Sequence, residues 1–189
     1  MDKYQDQIKL IEEMINSTKV KISEGSVYYL LWGWLVIAAA ALNYYLLVYV
    51  AYEQHWIAWP ILMPVGGIAS SIIKRKQERK AQAKTYVDRA LNYLWTGFLI
   101  TLFFALFGMV TMGPQGVYPM VMFLYGLGTF VSGGILKFKP LMLGAVGAWL
   151  AGAVAYFVPF QDQLLLLMAS IILSYIIPGH LLAKSKANV

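Results

Sequence analysis

The placement of positive charge constrains this chain more than any other feature. Six long apolar stretches cover residues 26–50, 55–73, 90–110, 117–136, 140–159 and 163–181. All 15 Lys and Arg residues lie outside them, in every second gap. Lys3, Lys9, Lys19 and Lys21 precede the first stretch, and Lys74, Arg75, Lys76, Arg79, Lys80, Lys84 and Arg89 separate the second from the third. Lys137 and Lys139 separate the fourth from the fifth, and Lys184 and Lys186 follow the sixth. Basic loops stay on the cytoplasmic side of a membrane. The alternation therefore predicts six crossings with both termini in the cytoplasm.

Length and composition agree. Each stretch is about 18–25 residues long, against the ~20 a helix needs to cross a ~30 Å hydrocarbon core. The chain has 189 residues, 60% hydrophobic and 13% charged, where a soluble domain carries about 25% charged residues. The expected fold is all-α: an integral membrane bundle of six transmembrane helices in three consecutive hairpins, with an N-terminal amphipathic helix. Residues 1–25 read as that cytoplasmic helix, 26–183 as the transmembrane domain and 184–189 as a cytoplasmic tail. The largely polar first 25 residues, followed by an apolar stretch too long for a signal h-region, predict no cleavable signal peptide.

Seven of the nine acids share the basic side, while Glu53 and Asp162 stand alone on the other. A basic inner surface suits anionic lipid headgroups, which attract each nearby Lys or Arg by ~1 kcal/mol. Topology already explains the charges, so nucleic acid is not an expected partner. The absence of cysteine removes disulfides, thiol catalysis and Cys-based metal sites.

Within residues 3–23, Tyr4, Ile8, Ile11, Ile15 and Ile22 recur near one helical face, and Gly25 is the expected stop. A helix lying on the membrane surface is favoured over a short dimerising coiled coil. Aromatics mark both ends of the first span: Tyr28, Tyr29, Trp32 and Trp34, then Tyr44, Tyr45 and Tyr49. Ala51–Gln54 is a tight turn, and Pro64 is expected to kink the second helix by removing a backbone donor. Lys76, Lys80 and Lys84 line one face of a helix expected to run on through Tyr86, Val87 and Leu91 into the third span. Thr111–Gly116 and Gln161–Gln163 read as external turns. Lys137–Pro140 reads as an inner turn with Pro140 in the first turn of helix five. Leu31-Trp32 echoes Leu94-Trp95, and the run from Trp59 to Met63 echoes that from Tyr118 to Met122. Parallel repeats are a transporter device, but shared composition produces such echoes too, and chance is the favoured reading.

Small residues give the strongest local signal. Gly144, Ala148 and Gly152 repeat every four residues on helix five, with Gly147, Ala151 and Ala155 beside them. Gly66 and Gly67 stand four residues before Ser70 and Ser71, and Gly128 and Thr129 four before Ser132 and Gly133. Such spacing lets backbones approach closely. Packing within one subunit is favoured over a dimer face on helix five. No Asp, Glu, Lys or Arg lies within a span, which argues against proton relays, ion-coupled transport and hydrolysis at depth. Ser170 and Ser174 have no base at depth to make either a nucleophile.

The candidate ligand-binding residues are Asn43, Trp95, Thr101, Tyr125, Thr129, Trp149 and Ser174, drawn from the hydroxyls and amides available at depth and from aromatics set further in, which could wall a pocket, although interface anchoring is the favoured reading of the aromatics. Most hydroxyls are expected to bond between helices or back to a carbonyl, and Asn43, an amide in an apolar helix, wants a partner. His55 and His180 lie nearly a membrane apart and cannot share a metal. His55 with Glu53 and Asp162 would form a site only if two short loops met, and a solvated boundary histidine is preferred. No cofactor, catalytic residue or metal ligand is expected.

The runs Tyr29-Leu30-Leu31-Trp32-Gly33-Trp34-Leu35, Lys84-Thr85-Tyr86-Val87-Asp88-Arg89 and Ile176-Ile177-Pro178-Gly179-His180-Leu181-Leu182 resemble a group of small, uncharacterised multi-pass membrane proteins of bacteria. That resemblance implies a bacterial cytoplasmic-membrane location, and brings no activity and no functional residue. The expected function is that of a non-enzymatic membrane protein binding an apolar ligand or lipid, or serving as a membrane-embedded partner of another protein. Its contact surface would be Met1–Gly25 and Lys74–Arg89. Partners expected are membrane lipids at the cytoplasmic face, with a homo-oligomer or a protein partner left open. The alternative is a small transporter or channel for a neutral solute, with a polar path through Asn43, Thr101, Thr129 and Ser174. A membrane enzyme would need clustered titratable groups, and Glu24, Glu78, Asp88 and His180 match no motif.

Overall fold

A computed structural model describes residues 2–79 and 86–184, with side chains from Gly25 onward except that of Glu78. Among these residues every regular element is helical: α1 (Asp2–Val48), a 3-10 turn (His55–Ile57), α2 (Ala58–Glu78), α3 (Tyr86–Phe107), α4 (Met109–Ile135), α5 (Lys139–Ala155) and α6 (Phe160–Ile171), which continues through a π turn (Ile172–Ile176) into α7 (Ile177–Lys184). Five segments are long and apolar enough to cross a membrane: Gly25–Val48, His55–Gln77, Tyr86–Phe107, Met109–Ile135 and Phe160–Lys184. The fifth expected span is shorter, with 17 helical residues. It stops at Ala155 because Val158 precedes Pro159, whose ring disfavours helical backbone in the residue before it.

Several expected boundaries need correction. Gly25 does not stop a helix, since α1 runs through it without a break. A lone glycine costs a helix only about 1 kcal/mol relative to alanine and ends it only when it takes a left-handed conformation. The face carried by Tyr4 to Ile22 lies outside the described side chains, and residues 80–85 lie outside the described structure. Pro64 sits inside an α2 that is helical throughout. The turn expected at Thr111–Gly116 begins earlier. α3 ends at Phe107, Met109–Met112 makes one helical turn, and the break falls at Gly113 (φ 68°, ψ 173°) before Pro114 restarts the helix. Only glycine adopts that backbone readily. Gln161–Gln163 is not a turn. Tyr156–Val158 forms the turn, Pro159 caps α6 in an extended conformation, and the glutamines lie in its first turn.

The inner turn falls where expected, with Pro140 in the first turn of α5. Phe138 N–H donates to Gly133 O (2.8 Å) and Lys137 N–H to Gly134 O (3.2 Å), the double closure of a Schellman motif. Its left-handed position is Lys137, at φ 54°, where an L-residue is strained by roughly 1–2 kcal/mol. Lys137→Gly is therefore expected to raise thermal stability by about 1 kcal/mol. A lower melting temperature would refute this.

The α6–π–α7 rod is flanked by α1 on one side and α5 on the other, and α4 runs along α5. The core between them holds Val36, Ala40, Met122, Leu141, Leu164, Leu167 and Ile171. Among the described residues the backbone of α2 comes close only to α1 and the 3-10 turn, and that of α3 only to α4, further contacts being made by long side chains. Both therefore turn large apolar side chains outward, including Ile61 and Ile68 on α2 and Leu99, Phe103, Phe104 and Phe107 on α3. The π turn has a local cause. Pro178 lacks an N–H and its ring crowds the carbonyl of Ser174, so the chain widens just before it, and Ile177 N–H donates to Ile172 O. Side-chain contacts gather the turns that lack Lys and Arg at one end of the bundle, opposite the basic segments (Asn43 to Tyr118, His55 to Phe160, Gln163 to Ala155).

Candidate functional site

The backbones of α1 and α4 do not pack directly against each other, and the seam between them is closed by aromatic side chains from four elements. At the end remote from the basic segments, Asn43 is fully buried. In the amide orientation that satisfies both its atoms, Nδ2 donates to His55 Nδ1 (2.7 Å) and to the His55 carbonyl (3.2 Å), and Oδ1 accepts from Trp59 Nε1 (2.9 Å). The Tyr118 hydroxyl lies 3.4 Å from the amide. His55 accepts at Nδ1, so its proton sits on Nε2. Tyr118 stands edge-on to Trp59 and to Phe160, with ring centroids 6.1 and 5.0 Å apart. One amide thus locks the 3-10 turn and α2 onto α1 and α4. His55 stays partly exposed at this boundary, and the turn at Ala51 folds its Nδ1 back onto Asn43 of α1. The described residues place no group of three or more His, Asp or Glu where it could hold a metal.

Towards the basic end, Tyr29, Trp95, Phe98, Tyr125 and Tyr175 form one edge-to-face cluster. Tyr175 lies 5.5 Å from both Tyr29 and Tyr125 and 6.2 Å from Trp95, and Phe98 lies 5.1 Å from Trp95 and 5.2 Å from Tyr125. These rings join α1, α3, α4 and the π turn. Such arrangements contribute about 0.5–1.5 kcal/mol per pair beyond area burial. The Tyr175 hydroxyl is buried with no hydrogen-bond partner. Beyond this cluster Tyr28 Oη donates to Gln77 (2.9 Å) and Lys74 Nζ to Asn92 (3.1 Å), tying α1, α2 and α3 together.

The predicted residues are divided by this geometry. Trp95 and Tyr125 meet in the cluster. Thr129 lies one turn beyond Tyr125, and its hydroxyl donates to Tyr125 O (2.9 Å). Ser174 precedes Tyr175 and donates to Ser170 O (2.7 Å). Asn43 belongs to the opposite end. Thr101 lies on the exposed side of α3, bonded to Gly97 O (2.9 Å). Trp149 packs on α4 elsewhere, with Nε1 donating to Phe123 O (3.1 Å) and its ring beside Phe130.

Gly66, Gly128, Gly144 and Gly152 receive neighbours within the chain, whereas Gly67 faces open space. A side chain at Gly66 would meet Leu35 and Trp32 of α1, and one at Gly128 would meet Phe98 and Trp95 of α3. Gly144 abuts the backbone of Leu173 and Ser174, and Gly152 abuts Met122, Phe123 and Pro119. Ala148 between them is fully buried.

Gln163 escaped sequence reasoning. It is fully buried, and its Nε2 donates to Ala155 O (2.8 Å) and Gln115 O (3.0 Å). It caps the end of α5 and fastens the start of α4. The available signal was Pro159, which begins a helix and carries Gln163 inward.

The fold and this seam define a helical bundle with spans of membrane-crossing length. No protein-family model, curated protein or solved structure matches the chain.

Proposed function

We propose that this is a six-helix integral membrane protein with both termini on the basic, cytoplasmic face, and that it works by binding at its exterior rather than by passing a solute through its interior. The observation that carries this reading is that the bundle itself consumes most of its interior polarity, leaving the Tyr175 hydroxyl and the Gln163 Oε1 among the few buried polar atoms without a partner. Thr129, Ser170 and Ser174 donate to carbonyls of their own helices, Gln163 caps α5, and Asn43 is spent on His55 and Trp59. Large side chains such as Met122, Leu164, Leu167 and Ile171 fill the space between. A solute path needs unspent polar groups in a line, and Thr101, one of the four expected on that path, faces outward.

The outward apolar faces of α2 and α3 are suited to lipid or to an apolar partner, since exposed apolar surface on this scale is rare on soluble monomers. No enzymatic activity is part of this reading. Native mass spectrometry of the protein released gently from its own membrane tests it. The expected result is a discrete bound lipid, apolar ligand or partner protein. A bare chain, together with selective flux of a neutral solute in liposomes, would replace this reading with the transporter alternative.

A further inference from the structure

We propose that α2 carries a site for one anionic phospholipid, with an acyl chain in the groove lined by Pro64, Gly67, Ile68, Ser71 and Ile72 and the phosphate at Arg75. This rests on the membrane reading above.

The lining residues recur at helical spacing on the side of α2 away from α1 and span about 16 Å at 1.5 Å per residue. The groove exists because Gly67 has no side chain. A Cβ there would meet nothing within 4 Å, whereas at the adjacent Gly66 it would strike α1. The groove's volume is about 420 Å³. Its walls are apolar, with Ile68 and Ile72 both at least half exposed. The one hydroxyl, on Ser71, is spent on Gly67 O (2.9 Å). An occupant therefore needs no polar group along its length.

The end of the groove is the opposite. Arg75 closes it, and Arg79 follows one turn later on the same face. Both are exposed, and among the described residues neither guanidinium is engaged by a carboxylate. Guanidinium groups bind phosphate in paired, charge-assisted hydrogen bonds. An apolar trough ending in two arginines at the basic end of a span matches an acyl chain with an anionic head. A second helix of this protein would bury the arginines against other cations, because the same end of every copy is basic.

The test uses the whole purified protein in nanodiscs made from equal parts phosphatidylglycerol and phosphatidylcholine with matched chains, with retained lipid counted by native mass spectrometry. The wild type is expected to retain one phosphatidylglycerol in preference to phosphatidylcholine. Gly67→Leu, which fills the groove, and Arg75→Gln, which removes the charge, are each expected to cut that preference about fivefold. Gly97→Leu, at an equally open glycine on α3, should leave it unchanged. No preference in the wild type, or full preference in Gly67→Leu, would overturn the site. So would a dimer that Gly67→Leu abolishes, since a second copy would then occupy the groove. Protein that stays soluble and monomeric without lipid or detergent would instead overturn the membrane reading itself.

Discussion

Gly144→Ala is expected to lower the stability of the bundle by about 3 kcal/mol, the upper range for overpacking a close contact. The added methyl would run into the carbonyl oxygen of Leu173 and lie 2.8 Å from Ser174 Cα. Both are backbone atoms of the π turn, so no rotamer change relieves the clash, and α5 must move away from the α6–α7 rod. That movement would loosen Tyr175, which holds the aromatic cluster together. Gly152 is a milder case. Its nearest neighbours, Met122 Cβ, Phe123 and Pro119 O, stand at 3.2 Å, so Gly152→Ala should cost well under half as much. Gly134→Ala, in open space on α4, should be neutral or stabilise by up to ~1 kcal/mol, the helix propensity difference. Thermal unfolding in detergent reads all three, and a Gly144→Ala protein that melts with the wild type would refute the contact.

Gln163→Leu is expected to cost about 2 kcal/mol, because it leaves the buried carbonyl of Ala155 and the partly buried one of Gln115 without their donor. Gln163→Glu should be worse. An ionised carboxylate of the same shape would face the carbonyls of Ala155 and Gln115, all three groups being acceptors. The order wild type, Gln163→Leu, Gln163→Glu in decreasing melting temperature checks both the hydrogen bonds and their direction. Equal melting of all three would mean that Gln163 does not fasten α4 to α5.

The helical class and the apolar segments were legible because charge and length report them directly. The ends were not, because prolines move them. Val158-Pro159 shortened one span and turned Gln161–Gln163 from a loop into a helical turn, and Gly113-Pro114 put a break inside α4. Gly25 misled because glycine stops a helix only in a left-handed conformation, which a sequence does not display. The same conformation was adopted by Lys137, a residue that propensity would not choose.

The site was legible by residue type rather than by partner. Asn43 called for a partner, and the hairpin turn brought His55, 12 residues on, back to it. Trp95 stood out as an aromatic set further in, and Tyr125 as a hydroxyl at depth. Tyr29, Phe98 and Tyr175, which complete their cluster, are supplied by other helices at angles that pattern alone does not give. Thr101 and Trp149 looked equivalent to them in sequence, but α3 is held on one face only, and Trp149 points to a different side of α4.

The proposed function depends on six crossings with both ends on the basic side, and the chain's lack of cysteine makes that directly measurable. Single cysteines at Gln54, Met112 and Gln161, and at Gln82, Lys139 and Ser185, would be probed in intact cells with a membrane-impermeant maleimide. Labelling of the first three without permeabilisation, and of the last three only after it, is the expected result. The decisive pair is Lys139 and Gln161, which bracket the short helix α5. Labelling of both from the same side would contradict the six-crossing bundle.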